Sequence, residues 1–160
     1  MPYIEELAPG TTFVTPGRTI YLHDITSFAE LTGDWHEVHT NESWAASSVQ
    51  GKVVAHGLLV LSYAAGLMQR GGVFDDKAIA FLDLQWKILE PVFPGDTIWV
   101  TVEVADSRRS ASKPDRGVAT LALSVRNQHD AVVATANWTN MFRSRDNVAD
   151  GTVQLGGDNE

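Results

Sequence analysis

The sequence predicts an α+β fold in which one long antiparallel sheet wraps around a single apolar helix. Three observations carry that expectation. The segment from Gly57 to Met68 is apolar nearly all round, and a helix of that kind has to be covered on most sides. Four later runs alternate apolar and polar residues with the two-residue period of a strand. Turn-forming residues separate those runs at distances that suit antiparallel neighbours. Helical periodicity before about residue 70 and strand periodicity after it give the class.

Taken in chain order, a short early strand is expected around Arg18 to Leu22. Asp24 can then cap a helix whose Ile25, Phe28, Ala29 and Leu31 share one face, with Gly33 ending it. Asn41 can cap a second short helix through Trp44 and Ala45, so the polar connection from Asp34 to His39 reads as a loop pinned at both ends. The apolar helix follows and stops at Gly71-Gly72. The first long strand alternates Leu82, Leu84, Trp86 and Ile88 with Phe81, Asp83, Gln85 and Lys87. The next two carry Ile98, Val100, Val102 and Val104, then Ala119, Leu121, Leu123 and Val125. The last carries Val132, Ala134, Ala136, Trp138 and Phe142, and turns are expected at Pro94-Gly95-Asp96, 114–117 and 127–130. A sheet curled around one central helix in this way is called a hotdog.

The chain has 160 residues, 44% of them hydrophobic and 20% charged, which suits one globular domain with one core. Residues 1–145 are expected to form it, and 146–160, rich in Gly, Asp and Asn, to be a disordered acidic tail. A formal net charge of −8 without a clustered basic run argues against nucleic acid as a partner. The absence of cysteine removes disulfides and thiolate chemistry and fits a reducing cytoplasmic location. The first residues carry Glu5 and Glu6 where a secretory signal carries bases, and the longest apolar stretch is shorter than the ~18–20 residues that cross a bilayer. Neither export nor a membrane is expected.

Two places carry chemistry. A carboxylate and an imidazole held close together, as Asp34 and His39 are by their short connection, can share a water molecule, one taking its proton and the other supplying one. Spacing alone leaves a second reading open, in which Asp34 serves a turn and His39 is an ordinary loop histidine. The run Ala55-His56-Gly57 directly precedes the apolar helix, where free backbone N–H groups and a partial positive charge allow the Gly57 amide to hold a carbonyl oxygen. Gly57 can equally serve only to let the chain turn into the helix. Asp34, His36 and His39 include good metal ligands, but two histidines three apart on a loop lack the helical presentation of zinc motifs, so no metal is expected.

The segment Thr32-Gly33-Asp34-Trp35-His36-Glu37-Val38-His39-Thr40-Asn41 resembles the signature of the MaoC-like dehydratases and (R)-specific enoyl-CoA hydratases, written G-D-x-N-P-x-H-x-D. Ala55 to Ser62 is similar to the same family's helix-start motif, and Pro91 to Thr97 resembles a third landmark, the turn before a strand. The resemblance extends from about Thr11 to Phe142. It implies a hotdog fold, a homodimer or dimer-based oligomer, and an acyl-CoA thioester hydrated or dehydrated at its 2,3-bond. No separate cofactor is implied, because coenzyme A is part of the substrate. Position by position, it implies that Asp34 and His39 activate the water and that the Gly57 amide binds the thioester oxygen. Ser62 is then a hydrogen-bond support near the pair, and His36 and His56 are expected at the substrate, with a turn or helix-end role as the other reading of His56. A helical serine can also satisfy itself on the preceding turn.

The chain departs from that signature where His36-Glu37 stand for Asn-Pro and Asn41 for the later Asp. Loss of the proline removes a constraint on the loop, and His36 can replace the asparagine as a polar contact. Trp35 and Trp44 either line an acyl pocket or simply pack. Basic residues such as Lys52, Arg70 and Arg108 suit CoA phosphates and equally a solvated surface. Two rival functions share the fold. A hotdog thioesterase usually carries an acid on or beside the central helix, and Gly57 to Arg70 contains none. A non-catalytic acyl-CoA-binding subunit tolerates loss of the Asp and His pair, and this chain keeps both.

Overall fold

The structure, a computed structural model, describes residues 2–145. Its elements are β1 (Thr12–Val14), β2 (Arg18–Thr19), α1 (Leu22–Thr32), α2 (Glu37–Thr40), α3 (Glu42–Ala46), α4 (Gly57–Arg70), β3 (Ala78–Ile88), β4 (Thr97–Arg109), β5 (Arg116–Asn127) and β6 (Val132–Arg143). All pairings are antiparallel, in the order β1-β4-β5-β6-β3, with β2 also laid along β4. The sheet closes on α4 as the hotdog expectation requires. Ile98, Val100, Val102 and Val104 are fully buried, as are Leu121 and Val125, and they meet Leu59, Val60, Ala64, Leu67 and Met68 of α4.

Several local expectations are corrected. The apolar helix is covered on one side only: Leu58 is 62% exposed, and Ser62 and Gly66 share that outer face. Asp24 does not sit at the cap of α1. Tyr21 does, and Asp24, three residues in, reaches back to accept the Tyr21 N–H at 2.8 Å. That carboxylate is buried and also accepts from Arg18 at 2.9 Å, so one acid ties β2 to α1. Because Tyr21 is spent on the cap, the early strand shrinks to Arg18–Thr19. The short strand β1 had no periodicity to announce it, since three residues show less than two full alternations.

In β3 the alternation is broken by register shifts between Ala78 and Ala80 and between Phe81 and Asp83. Phe81 stands opposite Asn140 and reaches Trp138 with ring centroids 4.9 Å apart, and Leu82 is exposed as Phe81 is, instead of sharing the half-buried face of Leu84 and Trp86. Among the described residues β3 pairs only with β6, which leaves it as an uncovered edge. The expectation of a disordered tail at 146–160 lies outside the described residues.

Candidate active site

Gly33 ends α1 in the left-handed conformation, φ 78°, and turns the chain into the segment that carries Asp34. His36 caps α2, its Nδ1 accepting the Val38 N–H at 3.2 Å, and Asn41 caps α3, its Oδ1 accepting the Trp44 N–H at 3.0 Å. The expected loop is thus two short capped turns in succession. This explains both departures from the signature. Asn and Pro suit the cap and first position of a helix, because one supplies an acceptor and the other gives up an N–H that has no partner there. His36 supplies the same acceptor through its ring, and Glu37 places a negative charge at the positive end of the turn. Asn41 caps as an aspartate does.

Around this segment the backbone is strapped down. Val54 N–H donates to Val38 O at 3.2 Å, and Ala55 N–H to Val92 O at 2.8 Å, which fixes the approach to α4 against α2 and the connection after β3. His39, half-buried, donates from Nδ1 to Val54 O at 2.7 Å. A carbonyl only accepts, so the hydrogen is on Nδ1 and Nε2 keeps its lone pair. Burial holds this imidazole below its ordinary range. The Val54 bond opposes the shift, and neighbouring His56 reinforces it.

His56, the residue before α4, is 2% exposed and stacks on His39 with ring centroids 3.8 Å apart. Its Nε2 donates to the Asp34 carbonyl oxygen at 3.0 Å. Its Nδ1 is buried and has no hydrogen-bond partner among the described residues. Asp34 is exposed, and its Oδ1 accepts the His36 N–H at 3.3 Å. The nitrogen and carboxylate atoms of Asp34, His39 and His56 lie within 4.8 Å of one another. That donor set is a poor match for a metal ion, because each imidazole ligates in its own plane and two stacked rings do not aim at one point. A water molecule, which takes hydrogen bonds over a wide range of directions, suits the gap between the Asp34 carboxylate and His39 better.

His39 and Gly57 both line a cavity of about 380 Å³ whose other walls include Val38, Val54, Val60 and Ile88. An apolar pocket with a few convergent polar groups is the usual form of a small-molecule site. A Cβ on Gly57 would come within 2.1 Å of Ile88 Cδ1, so the absence of a side chain keeps this corner open. His56, by contrast, is not in the cavity wall but behind His39. Nor does Ser62 line it: its hydroxyl donates to Leu58 O at 2.8 Å on the exposed face of α4. Asp34 and His36 are exposed and do not line it either, and His36 packs edge-on to Trp44 with centroids 5.6 Å apart. Neither Trp35 nor Trp44 lines the cavity. Sequence reasoning missed Gln50 and Glu90, which do, and the carbonyl of Val54 that sets the His39 tautomer. A backbone carbonyl leaves no mark in residue type, so nothing in the sequence could have named it.

Known proteins match the chain in sequence and in fold. The family described as MaoC like domain covers residues 5–127. Protein MaoC of Klebsiella aerogenes is 42% identical over 99 residues, which are 61% of this chain and 29% of that protein. A 3-hydroxybutyryl-CoA dehydratase of Methylorubrum extorquens is 34% identical over 106 residues, 65% of this chain and 64% of that one. The chain thus spans less than two thirds of the length of these two relatives. The crystal structure of the MaoC-like dehydratase from Rhodospirillum rubrum superposes with a TM-score of 0.83 at 25% identity, over 91% of this chain and 99% of that one.

Proposed function

The chain belongs to the MaoC-like domain family, and from that premise we propose that it adds water to, or removes it from, the 2,3-bond of an acyl-CoA thioester. One observation carries the reading: His39, with its Nε2 lone pair open, stands beside Asp34 and lines the same apolar cavity as the first amide of α4. The 3-hydroxybutyryl-CoA dehydratase among the relatives supports the same chemistry.

In the hydration direction the thioester carbonyl accepts the Gly57 N–H, and the acyl chain lies along Val38, Val54 and Val60. Asp34 and His39 hold a water molecule over C3. Its oxygen bonds to C3, one of its protons passes through the pair to C2, and the carbonyl oxygen carries enolate charge in between. Dehydration is the reverse, and neither direction consumes a cofactor. General acid–base assistance supplies ~10²–10⁴-fold and an oxyanion donor ~10²–10³-fold, which suits the two parts of this site.

The same reading includes a homodimer. Strand β3 is an uncovered edge bearing Ile79, Phe81, Leu82 and Ile88, each more than a third exposed, and Leu58 of α4 continues the patch at 62%. A long apolar edge of this kind pairs with another strand unless it is blocked. Ile88 and Leu89 belong both to the patch and to the cavity wall, so a second copy laid along β3 closes the cavity from the side.

The test is loss of enoyl absorbance on a panel of 2-enoyl-CoA substrates of different chain length, run beside thiol detection on the saturated acyl-CoAs. Hydration without thiol release supports the reading. Thiol release without hydration marks a thioesterase, and neither activity marks a binding subunit.

A further inference from the structure

We propose that His56 is a positioning residue that fixes Asp34, His39 and the Gly57 amide in one geometry, an inference that rests on the hydratase reading of the site. It has no place in the cavity wall and no solvent exposure to speak of, yet it touches every part of the proposed machinery. Its Nε2–H holds the Asp34 carbonyl at 3.0 Å. The face of its ring carries the His39 imidazole at 3.8 Å. It is the cap residue of α4, directly before Gly57, and its side chain makes no capping hydrogen bond.

That last point separates the role from simple helix support. A residue kept only to start α4 would be Ser, Thr, Asp or Asn, whose side chain satisfies a first-turn N–H. His56 gives up that bond and spends its donor on the loop twenty-two residues earlier. Because the Asp34 carbonyl only accepts, Nε2 carries the hydrogen and Nδ1 is the buried atom left without a partner among the described residues. The opposite face of the site is closed by Phe28 of α1, whose ring centroid is 5.1 Å from that of His56. The ionisable groups around His56 are therefore His39 from α2 and Asp34 from the preceding loop, with His36 beyond His39 at 6.1 Å.

Two contacts of different kinds allow two substitutions that separate them. His56→Gln keeps an amide N–H at the reach of Nε2 and loses the stacked ring. His56→Phe keeps a ring against His39 and loses the donor to Asp34. Both are compared with wild type by kcat and KM for a 2-enoyl-CoA and by thermal unfolding. The His39 ring-proton titration, followed by NMR, is read in the same proteins without substrate. The expected result is a fall in kcat of about tenfold or more in His56→Phe at nearly unchanged KM, with partial recovery in His56→Gln, the size expected when a reacting group shifts by a fraction of an ångström. The His39 titration is expected to move in both, because one variant removes the ring stacked on His39 and the other the donor that holds the Asp34 carbonyl beside it. Wild-type kcat together with an unmoved His39 titration in both variants overturns the proposal, as does an equal loss in both that follows only a lowered melting temperature. The NMR reading stands without turnover, so a wild-type protein that hydrates no enoyl-CoA defeats the proposed reaction while the positioning of His39 by His56 is still decided.

Discussion

The imidazoles of His39 and His56 lie face to face, their ring centroids 3.8 Å apart and their planes at 29°. One is half-buried at the cavity, the other sealed behind it, and only the outer ring has a nitrogen lone pair open to a ligand. Much of the behaviour of the site follows from this pairing and from the burial that accompanies it.

The first consequence concerns pH. Burial keeps His39 neutral further into acid than an ordinary imidazole, which titrates near ~6.5. The neutral form is the one that can take a proton from water. The acid limb of kcat/KM is therefore expected below ~6.5, with activity full above it and lost as the pH falls through the His39 value. Stability has the same sign. The unfolded chain binds this proton more tightly than the folded one, so the His39 contribution is complete above ~6.5 and declines as the pH falls from there through the folded value. Initial rates and thermal unfolding from pH 5 to pH 8, roughly the span over which a histidine changes charge, test both. An acid limb above ~7 contradicts the assignment.

A methyl group on Gly57 tests the oxygen site. In Gly57→Ala the new Cβ meets the far end of the flexible Ile88 side chain and not backbone, so the side chain can give way. Folding is thus expected to survive, as judged by an unchanged melting temperature. The displaced Ile88 and the added methyl crowd the thioester, so kcat/KM is expected to fall by ~10²-fold, the usual cost of misplacing a substrate by about an ångström.

The two unusual residues of the signature give a stability test. His36 has φ −56° and ψ 133°, an extended conformation that tolerates a following proline. The double change His36→Asn with Glu37→Pro is expected to keep both the melting temperature and the activity, since cap and first position remain satisfied. His36→Ala removes the acceptor for Val38 N–H and is expected to cost about 1 kcal/mol, a fall of a few degrees in Tm.

The β3 edge gives an assembly test. Light scattering of the wild type is expected to return twice the 17.5 kDa chain mass, and Leu82→Lys, a charge on an outward residue of the uncovered strand, the mass of one chain. Activity should fall with the dimer, because Ile88 and Leu89 wall the cavity from the same edge.

The fold was largely legible in the sequence because its two signals are long. The alternation of Ile98 to Val104 and of Ala119 to Val125 extends over enough residues to survive in the structure unchanged. Where the signal is short or local geometry intervenes, reading fails. The bulges of β3 leave Leu82, which the alternation places with Leu84 and Trp86, exposed beside an exposed Phe81, and a bulge is invisible in a polar and apolar pattern. Asp24 was placed one role away because cap and third position both favour an acid, and only the Tyr21 N–H decides between them. At the site, the proximity of Asp34 to His39 was legible from spacing and resemblance together. The expectation for Ser62 rested on resemblance alone, and its hydroxyl instead serves the helix that carries it. His56 was expected at the substrate and lies behind the cavity wall instead; its contact with the Asp34 carbonyl joins positions far apart in sequence and needs the folded chain to be seen.

The central claim is that Asp34 and His39 together handle the water. Its most direct measurement is the initial rate of enoyl absorbance loss for wild type, Asp34→Asn and His39→Gln on whichever 2-enoyl-CoA the wild type turns over best. Each substitution, made at a residue outside the buried core, is expected to leave folding intact and to lower kcat by ~10²–10⁴-fold. Equal rates in all three proteins contradict it.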